Sequence, residues 1–230
     1  MKIDDRILYE DNHLIAVNKL SGELTQGDKT GDTTLPDLVK DYIARKYNKP
    51  GAVYLGVIHR LDRPTSGTVI FARTSKALPR MNKLFNQRET DKTYWTIVEG
   101  KPAQKQARLE HYLVRNPKQN KSYSHDHEVP HSKKAILTYQ TLLELDHYTL
   151  LEIHLETGRH HQIRSQLHKI GCSIKGDLKY GAKRSNKDGS IHLHSRSLSF
   201  IHPVKKEPVH IIAPPNQQDS LWRTVSENRK

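Results

Sequence analysis

The 230-residue sequence has a single cysteine, Cys172, so it cannot form an internal disulfide. Disulfides belong to oxidising compartments, and we therefore expect a reducing, cytoplasmic location. Long hydrophobic runs are missing as well, and the start, MKIDDRILYEDNH, lacks the apolar core of a secretory signal. These absences argue against a disulfide-rich secreted protein and against a membrane protein.

Acidic residues are scarce relative to basic ones. Asp and Glu number 25 against 38 Lys and Arg, which gives a formal charge of +13, and 15 histidines accompany them. Such an excess favours a polyanionic partner, because each phosphate contact releases condensed counterions. The same charge could serve solubility alone, and it does not separate RNA from DNA. We predict a nucleic acid as the partner.

Repeats and low-complexity linkers are also absent, and a hydrophobic fraction of 34% suits a globular chain. Strands are predicted at 13–19, 52–61, 67–74, 92–100, 107–115, 133–145, 148–156, 191–201 and 207–214. Helices are predicted at 34–48, 75–89, 159–171 and within 215–230. Strands at hairpin distance indicate an α+β fold, with a mostly antiparallel mixed β-sheet flanked by helices and loops and a cleft across the sheet.

The stretch HRLDRPTSG (59–67) places Asp62 between Arg60 and Arg63, after a predicted strand. We expect a loop at the sheet edge, where catalytic groups tend to sit. The hydroxyls of Thr65 and Ser66 could fix its shape by hydrogen bonds. An exposed, salt-bridged turn is the alternative, and this stretch alone does not exclude it.

A second polar stretch, TGRHHQIR (157–164), opens a predicted helix. If the helix begins near Arg159, His160 and Arg164 share one face, and the junction before them suits an anion. One arginine here could form a two-pronged pair with Asp62 and keep that carboxylate ionised. A basic helix face that binds phosphates nonspecifically is equally compatible with these residues.

Both stretches resemble the RluA-type pseudouridine synthases, which isomerise uridine in ribosomal or transfer RNA. YEDNHLIAVNKLSG, GVIHRLDRPTSGTVIFAR, KTYWTIVEG, TGRHHQIR, GCSIKGDLKYGA and IHLHSRSLSFIHP follow one another in the family's order, from about residue 7 to residue 213. The resemblance implies the pseudouridine synthase fold as one catalytic domain over 1–230. It also implies no separate N-terminal RNA-binding domain, which some members have. Because the isomerisation involves no redox change and no net hydrolysis, we expect no cofactor.

Residue roles are carried over from this resemblance. It implies three catalytic residues, Asp62, Tyr94 and Arg164. It implies RNA-binding residues as well, with Arg60 filling the space left by the displaced base: His59, Arg60, Arg63, Thr65, Lys92, Arg159, His161 and Gln162. Two positions depart from the family, which usually has proline where this chain has Leu20 and Ser173.

The chemistry is consistent with these roles. Breaking a glycosidic carbon–nitrogen bond gives the sugar positive character, which an ionised carboxylate can stabilise or trap. An aspartate is ordinarily ionised above about pH 4, burial opposes that ionisation, and a paired guanidinium favours it. The uridine must leave its stack at a cost of a few kcal/mol, which stacking on Tyr94 would offset.

Two other functions remain open: a non-catalytic RNA-binding or assembly module with the same fold, and a histidine-based RNA hydrolase. Histidines at 125, 127 and 131 could suggest a metal site, but their spacing fits no common zinc pattern, and we expect a flexible hairpin loop that touches RNA. We also expect a monomer. The sequence does not identify the target RNA or uridine.

Overall fold

Most of the predicted strands and helices are present, although several of their bounds differ. The computed structural model describes residues 1–27 and 31–228. They divide into two units, which are described separately. The first unit comprises Met1–Asp91 and Ser195–Pro215, and the second comprises Lys92–His194 and Asn216–Lys230, of which 229 and 230 lie outside the described residues.

The strands of the described residues are β1 (Ile7–Glu10), β2 (Leu14–Lys19), β3 (Gly56–Val57), β4 (Ser66–Ala72), β5 (Thr90–Glu99), β6 (Gln106–Asn116), β7 (Lys121–His125), β8 (Lys133–Glu144), β9 (Tyr148–Leu155), β10 (Leu193–Ile201) and β11 (Pro208–Ile212). Their helices are α1 (Leu35–Lys46), α2 (Ala77–Gln87), α3 (Gln162–Lys169) and α4 (Ser220–Glu227). Short 3-10 turns cover Asp4–Arg6 and Leu178–Tyr180.

In the first unit, β2 pairs antiparallel with β1 and with β4, β3 adds to β4, and β11 adds to β10, which neighbours β4. The apolar side chains of β2 and β4 pack with those of α2, with Ile70 and Met81 fully buried. The register places Leu14 opposite Ala72 and Lys19 opposite Gly67. The end of β2 therefore lies beside the start of β4, directly after the HRLDRPTSG loop.

In the second unit, β5, β9, β8, β6 and β7 form antiparallel neighbours in that order. Tyr94 on β5 lies opposite Ile153 on β9. One core cluster joins Trp95 and Ile97 of β5 to Trp222 and Val225 of α4. Helix α3 lies against β6 and β7. Strands in antiparallel order with segregated helices confirm the predicted α+β class. The single domain over 1–230 and the cleft stay predictions.

The first helix forms as its sequence predicts. Thr34 accepts a hydrogen bond from the backbone N–H of Asp37, and the Asp37 carboxylate accepts one from the backbone of Thr34. This capping box satisfies two N–H groups that the first turn leaves unpaired, and Pro36 fits the first turn because it has no N–H to lose.

Two predictions in the first unit are wrong in detail. The strand predicted at 52–61 is reduced to β3, because the N–H of Ile70 on β4 donates to Nε2 of His59 at 3.2 Å instead of to a strand backbone. The predicted start of the helix at 75–89 lies two residues too early, because Ser75 does not cap α2. The helix begins at Ala77, whose N–H donates to Oγ1 of Thr74 at 3.2 Å.

Two predictions in the second unit are also corrected. Helix α3 begins at Gln162, because His161 has a left-handed backbone (φ 52°) that a helix cannot continue through. His160 therefore precedes the helix and does not share its face with Arg164. The predicted hairpin loop starts as a strand, β7, and Asp126 beyond it pairs with Lys169 at 2.7 Å.

No helix among residues 1–27 and 31–228 has the length and apolarity needed to cross a membrane. Within the same described ranges, no group of three or more His, Cys, Asp or Glu residues is arranged to hold a metal ion.

Gly67 has a backbone that only glycine adopts easily, and it leaves no room for a side chain. Its φ is +112°, and a Cβ would lie 2.3 Å from the carbonyl oxygen of Ser195. We expect Gly67→Ala to lower the free energy of unfolding by more than about 3 kcal/mol, measured by urea denaturation. Gly22→Ala is the matched control, since φ is +90° with nothing within 4 Å of the Cβ; we expect a loss of about 1 kcal/mol. Equal losses would contradict this explanation.

Candidate active site

A fully buried lysine fixes the loop that carries Asp62. Lys19, at the end of β2, is 0% exposed. Its Nζ donates to four backbone carbonyls: those of Leu20 at 3.0 Å, Asp62 at 3.3 Å, Arg63 at 3.0 Å and Thr65 at 2.6 Å. Three of these carbonyls belong to the loop, so the ammonium group replaces water as its internal partner.

Burial lowers the pKa of Lys19 to about 8, against the opposing effect of the Glu23 and Asp62 carboxylates. The ammonium form therefore predominates at pH 7, where all four carbonyl dipoles stabilise it.

A second set of hydrogen bonds holds the same loop from the segment after β2. The N–H of Gly22 donates to the Arg63 carbonyl at 2.8 Å, and Oγ of Ser21 donates to the Pro64 carbonyl at 3.0 Å. Within the loop, the N–H of Thr65 donates to the Asp62 carbonyl at 3.0 Å. The backbone of Asp62 is thus fixed from two directions, while the residue itself is partly exposed.

The RNA-binding residues predicted in the first unit lie in different environments. Arg60 and Arg63 are exposed; Nη1 of Arg60 donates to Gln26 at 2.8 Å, and Nη2 of Arg63 pairs with Asp32 at 2.8 Å. His59 is partly buried and stacks on Phe85 with ring centroids 4.9 Å apart, and Thr65 is buried. The RNA contacts predicted for these residues stay predictions.

In the second unit, Arg164 lies in a buried ion pair. It is 5% exposed and makes a two-pronged contact with Asp177, from Nε to Oδ2 at 2.6 Å and from Nη2 to Oδ1 at 2.8 Å. Nη1 contacts Nε2 of His161 at 2.9 Å. The ring of Tyr180 lies under the guanidinium, whose carbon is 5.1 Å from the ring centroid. The orientation of Arg164 is therefore set by three side chains.

His161 is neutral in this environment. Burial is the main cause that lowers its pKa to about 2, and the nearby charge of Arg164 adds to it. Its Nδ1 lies 3.0 Å from the hydroxyl of Tyr180.

The other residues predicted for the site in this unit are mostly buried. Tyr94 is 8% exposed on β5. Gln162 is buried, and its Oε1 accepts from Oγ1 of Thr157 at 2.8 Å. Lys92 and Arg159 are partly buried, and Nε of Arg159 donates to the Lys134 carbonyl at 3.0 Å. The roles predicted for these residues stay predictions, as does the pairing of Asp62 with Arg164.

Sequence reasoning missed Lys19, Asp177 and Tyr180. Their partners are distant in sequence: Lys19 and Thr65 are 46 positions apart, and Ser122 and Tyr180 are 58 positions apart. Asp177 and Arg164 are 13 positions apart. The available signals were a lysine that ends an apolar strand and a carboxylate between turn residues in GDLKYG. Both signals are weak in isolation.

Comparisons with known proteins show what this chain is similar to. Residues 13–169 match the family model described as RNA pseudouridylate synthase. The tRNA pseudouridine synthase C of Haemophilus influenzae is 32% identical over 234 residues, which cover 92% of this chain and 93% of that protein. The ribosomal large subunit pseudouridine synthase D of Zymomonas mobilis is 31% identical, and the match covers 88% of this chain and 67% of that protein.

Some relatives are considerably longer. An RNA pseudouridine synthase of Synechocystis is 31% identical, and the match covers 90% of this chain but 64% of that protein. Among solved structures, human RNA pseudouridylate synthase domain containing 4 superimposes with a TM-score of 0.76 at 22% identity, covering 92% of this chain and 88% of that one. At that identity the likeness concerns the fold.

The neutral state of His161 gives the protein a predictable acid sensitivity. Histidine has an ordinary pKa of 6.5, so below that pH the unfolded chain takes up a proton that the folded chain excludes. Stability should therefore fall as the pH falls. Between pH 7 and pH 5 we expect the wild-type protein to lose at most about 2 kcal/mol more unfolding free energy than His161→Asn does.

Urea denaturation at both pH values measures this difference, and the other histidines are common to both proteins. Asparagine is chosen because it tolerates the left-handed backbone at this position. Identical pH dependence in the two proteins would show that His161 accepts a proton in the folded state.

Proposed function

Because the chain belongs to the RNA pseudouridylate synthase family, whose members are isomerases that act on RNA, we propose that it converts a specific uridine of ribosomal or transfer RNA to pseudouridine. Asp62 is the catalytic carboxylate in this proposal. The observation that carries it is the family match over residues 13–169, which includes Asp62, Tyr94 and Arg164.

The reaction exchanges one bond of the base for another. The bond from the sugar carbon to N1 of uracil breaks, the base rotates, and the same sugar carbon bonds to carbon 5. The hydrogen of carbon 5 leaves as a proton, and N1 gains a proton, so atoms and electrons balance without an oxidant or a reductant. We therefore propose a reaction that uses no redox cofactor.

Asp62 meets the electrostatic demand of this reaction. While the bond to N1 breaks, positive character develops on the sugar, and a carboxylate nearby can stabilise it or form a bond with it. That function requires an ionised group held in a fixed position. The hydrogen bonds from Lys19, Ser21 and Gly22 to the loop support a fixed position for its backbone.

Arg164 is the proposed counterion of Asp62. A guanidinium has five N–H groups in a planar fork, so it can serve two carboxylates at once. Asp177 already holds Arg164 by a two-pronged contact. Arg164 thus has the chemistry to pair with Asp62 while Asp177 keeps its plane fixed, and pairing would keep Asp62 ionised when water is expelled.

The remaining predicted residues would handle the RNA. A uridine extruded from its stack costs a few kcal/mol, which an aromatic surface such as Tyr94 and a side chain that fills the gap, such as Arg60, would offset. Tyr94 is also the candidate for the proton step at carbon 5. The charge of +13 supplies attraction to the phosphates over longer distances. We propose that the protein works as a cytoplasmic monomer.

The proposal is tested by tritium release from RNA whose uridine is labelled at carbon 5. We expect the purified protein to release tritium from unmodified total RNA, because the new bond displaces that hydrogen. Asp62→Asn should abolish release, since the amide is neutral, and should leave RNA binding largely intact.

Asp4→Asn is the matched control, an exposed carboxylate of the same unit that pairs with Arg45 at 3.0 Å; it should release tritium at the wild-type rate. Tight RNA binding without release from any RNA would indicate the non-catalytic module instead. Cleaved RNA would indicate a hydrolase.

Arg164→Lys tests the proposed counterion. Lysine keeps the charge but cannot make the two-pronged contact, so we expect kcat for tritium release to fall by about tenfold or more. Arg108→Lys is the control, because Arg108 makes a similar two-pronged contact with Glu156 at the surface of the same unit. Wild-type kcat in Arg164→Lys would rule out the pairing.

A further inference from the structure

Arg164 is held by three buried side chains. His161 is also a predicted RNA-binding residue, whereas Asp177 and Tyr180 have no role in the proposed reaction. We propose that Asp177, His161 and Tyr180 are positioning residues that set the plane of the Arg164 guanidinium, and through it the placement of the counterion of Asp62. This inference rests on the proposed function. Its structural basis is a chain of hydrogen bonds within the second unit that begins on β7 and ends at the carboxylate of Asp177.

The direction of each hydrogen bond follows from elimination. A guanidinium can only donate, so Nε2 of His161 accepts from Nη1 of Arg164 at 2.9 Å. A neutral imidazole then carries its proton on Nδ1, which donates to the hydroxyl oxygen of Tyr180 at 3.0 Å. The tautomer of His161 is therefore determined by its two neighbours.

Tyr180 anchors this chain to the backbone of β7. Its hydroxyl oxygen accepts from the N–H of Ser122 at 2.8 Å, and its hydrogen is donated to the carbonyl of Ser122 at 3.2 Å. With the bond from His161, the hydroxyl makes one donation and accepts two hydrogen bonds, which is its full capacity. A rotation of Arg164 would break its hydrogen bond to His161 and leave a buried donor and a buried acceptor without their partners.

The four side chains are almost completely removed from water. Exposure is 5% for Arg164, 8% for His161 and 1% each for Asp177 and Tyr180. Water therefore cannot replace a lost partner without rearrangement, and a buried network that is fully satisfied specifies one geometry.

Stability alone does not explain such a network. A buried ion pair is weak evidence for stability, since desolvation of both charges offsets most of their attraction. The backbone adds cost, because His161 holds a left-handed conformation that is unfavourable for a residue with a side chain. Directed hydrogen bonds fix the orientation of the guanidinium, which apolar side chains in the same positions could not do.

The ring of His161 is held from its other face as well. His160 stacks on it with centroids 3.8 Å apart and an interplanar angle of 19°. Nδ1 of His160 lies 2.9 Å from Oγ of Ser122, and its Nε2 lies 3.1 Å from Oδ1 of Asn120. His161 is thus fixed in its plane by hydrogen bonds and across its plane by stacking.

Tyr180→Phe tests the inference with little change of shape, because the ring under Arg164 is kept and only the hydroxyl is lost. We expect kcat for tritium release to fall by about tenfold, with KM for RNA unchanged within about twofold.

Tyr139→Phe is the matched control. Tyr139 is 5% exposed in the same unit, and its hydroxyl donates to a single backbone carbonyl, that of Gln104, at 3.1 Å. It should change the free energy of unfolding by a similar amount while leaving kcat at its wild-type value. Asp177→Asn, which keeps size and removes charge, should lower kcat further than Tyr180→Phe does.

A double variant shows whether the fall in kcat comes from the orientation of Arg164 or from a general disturbance of the fold. In an Arg164→Lys background, Tyr180→Phe should cause no additional fall in kcat, because it acts through the guanidinium. Equal kcat for Tyr180→Phe and Tyr139→Phe, or a full additional fall in the double variant, would overturn the inference. If the wild-type protein releases no tritium from any RNA, the proposed function and this inference fail together. If only Asp62→Asn loses release, the function stands and the inference fails.

Discussion

A buried cation needs oxygen or nitrogen acceptors that replace its water, and this constraint shapes both parts of the candidate site. In the first unit the cation is Lys19, whose acceptors are four backbone carbonyls, so a charged side chain determines the path of the Asp62 loop. In the second unit the cation is Arg164, whose acceptors are a carboxylate and an imidazole. The lysine ammonium is a compact charge that can donate in several directions, so it can bind the carbonyls of a curved loop. The arginine guanidinium is planar, so its partners fix the orientation of that plane.

Helices and strands are predicted correctly where the residues that determine them are close together in the sequence. Helix α1 is predicted because Thr34 and Pro36 mark its start within three residues. The strand at 52–61 was overpredicted because apolar residues there satisfy the pattern, whereas strand formation depends on a partner; at Ile70 that partner is the imidazole of His59. Strand β7 is predicted as part of a loop because its polar residues, KSYSH, show no apolar alternation. Its pairing with β6 comes from the fold and not from its own composition.

The same reasoning applies to the site. Asp62 and Arg164 were identified because two dense motifs resemble a family, and the family model covers both residues. Asp177 and Tyr180 belong to a stretch, KGDLKYGA, whose family likeness was recognised without any role for its side chains. Their role becomes visible only when the turn at Leu178–Tyr180 places them around Arg164. Sequence motifs thus located the proposed reacting groups, while the groups that orient them required coordinates.

The two positions where the resemblance predicts a proline lie beside these two supports. Leu20, in place of a proline, has an N–H that donates to Oε2 of Glu23 at 2.9 Å, a bond that proline cannot make. The same oxygen accepts from Arg6 at 2.7 Å, so the segment that holds the Asp62 loop is fixed by charge instead of by a ring. Ser173, in place of the other proline, donates from Oγ to the carbonyl of Tyr180 at 2.7 Å. Each position has a directed hydrogen bond where the resemblance predicts a proline. In this chain both positions thus keep a restraint, because a directed hydrogen bond limits the conformations of the chain, as a fixed φ angle does.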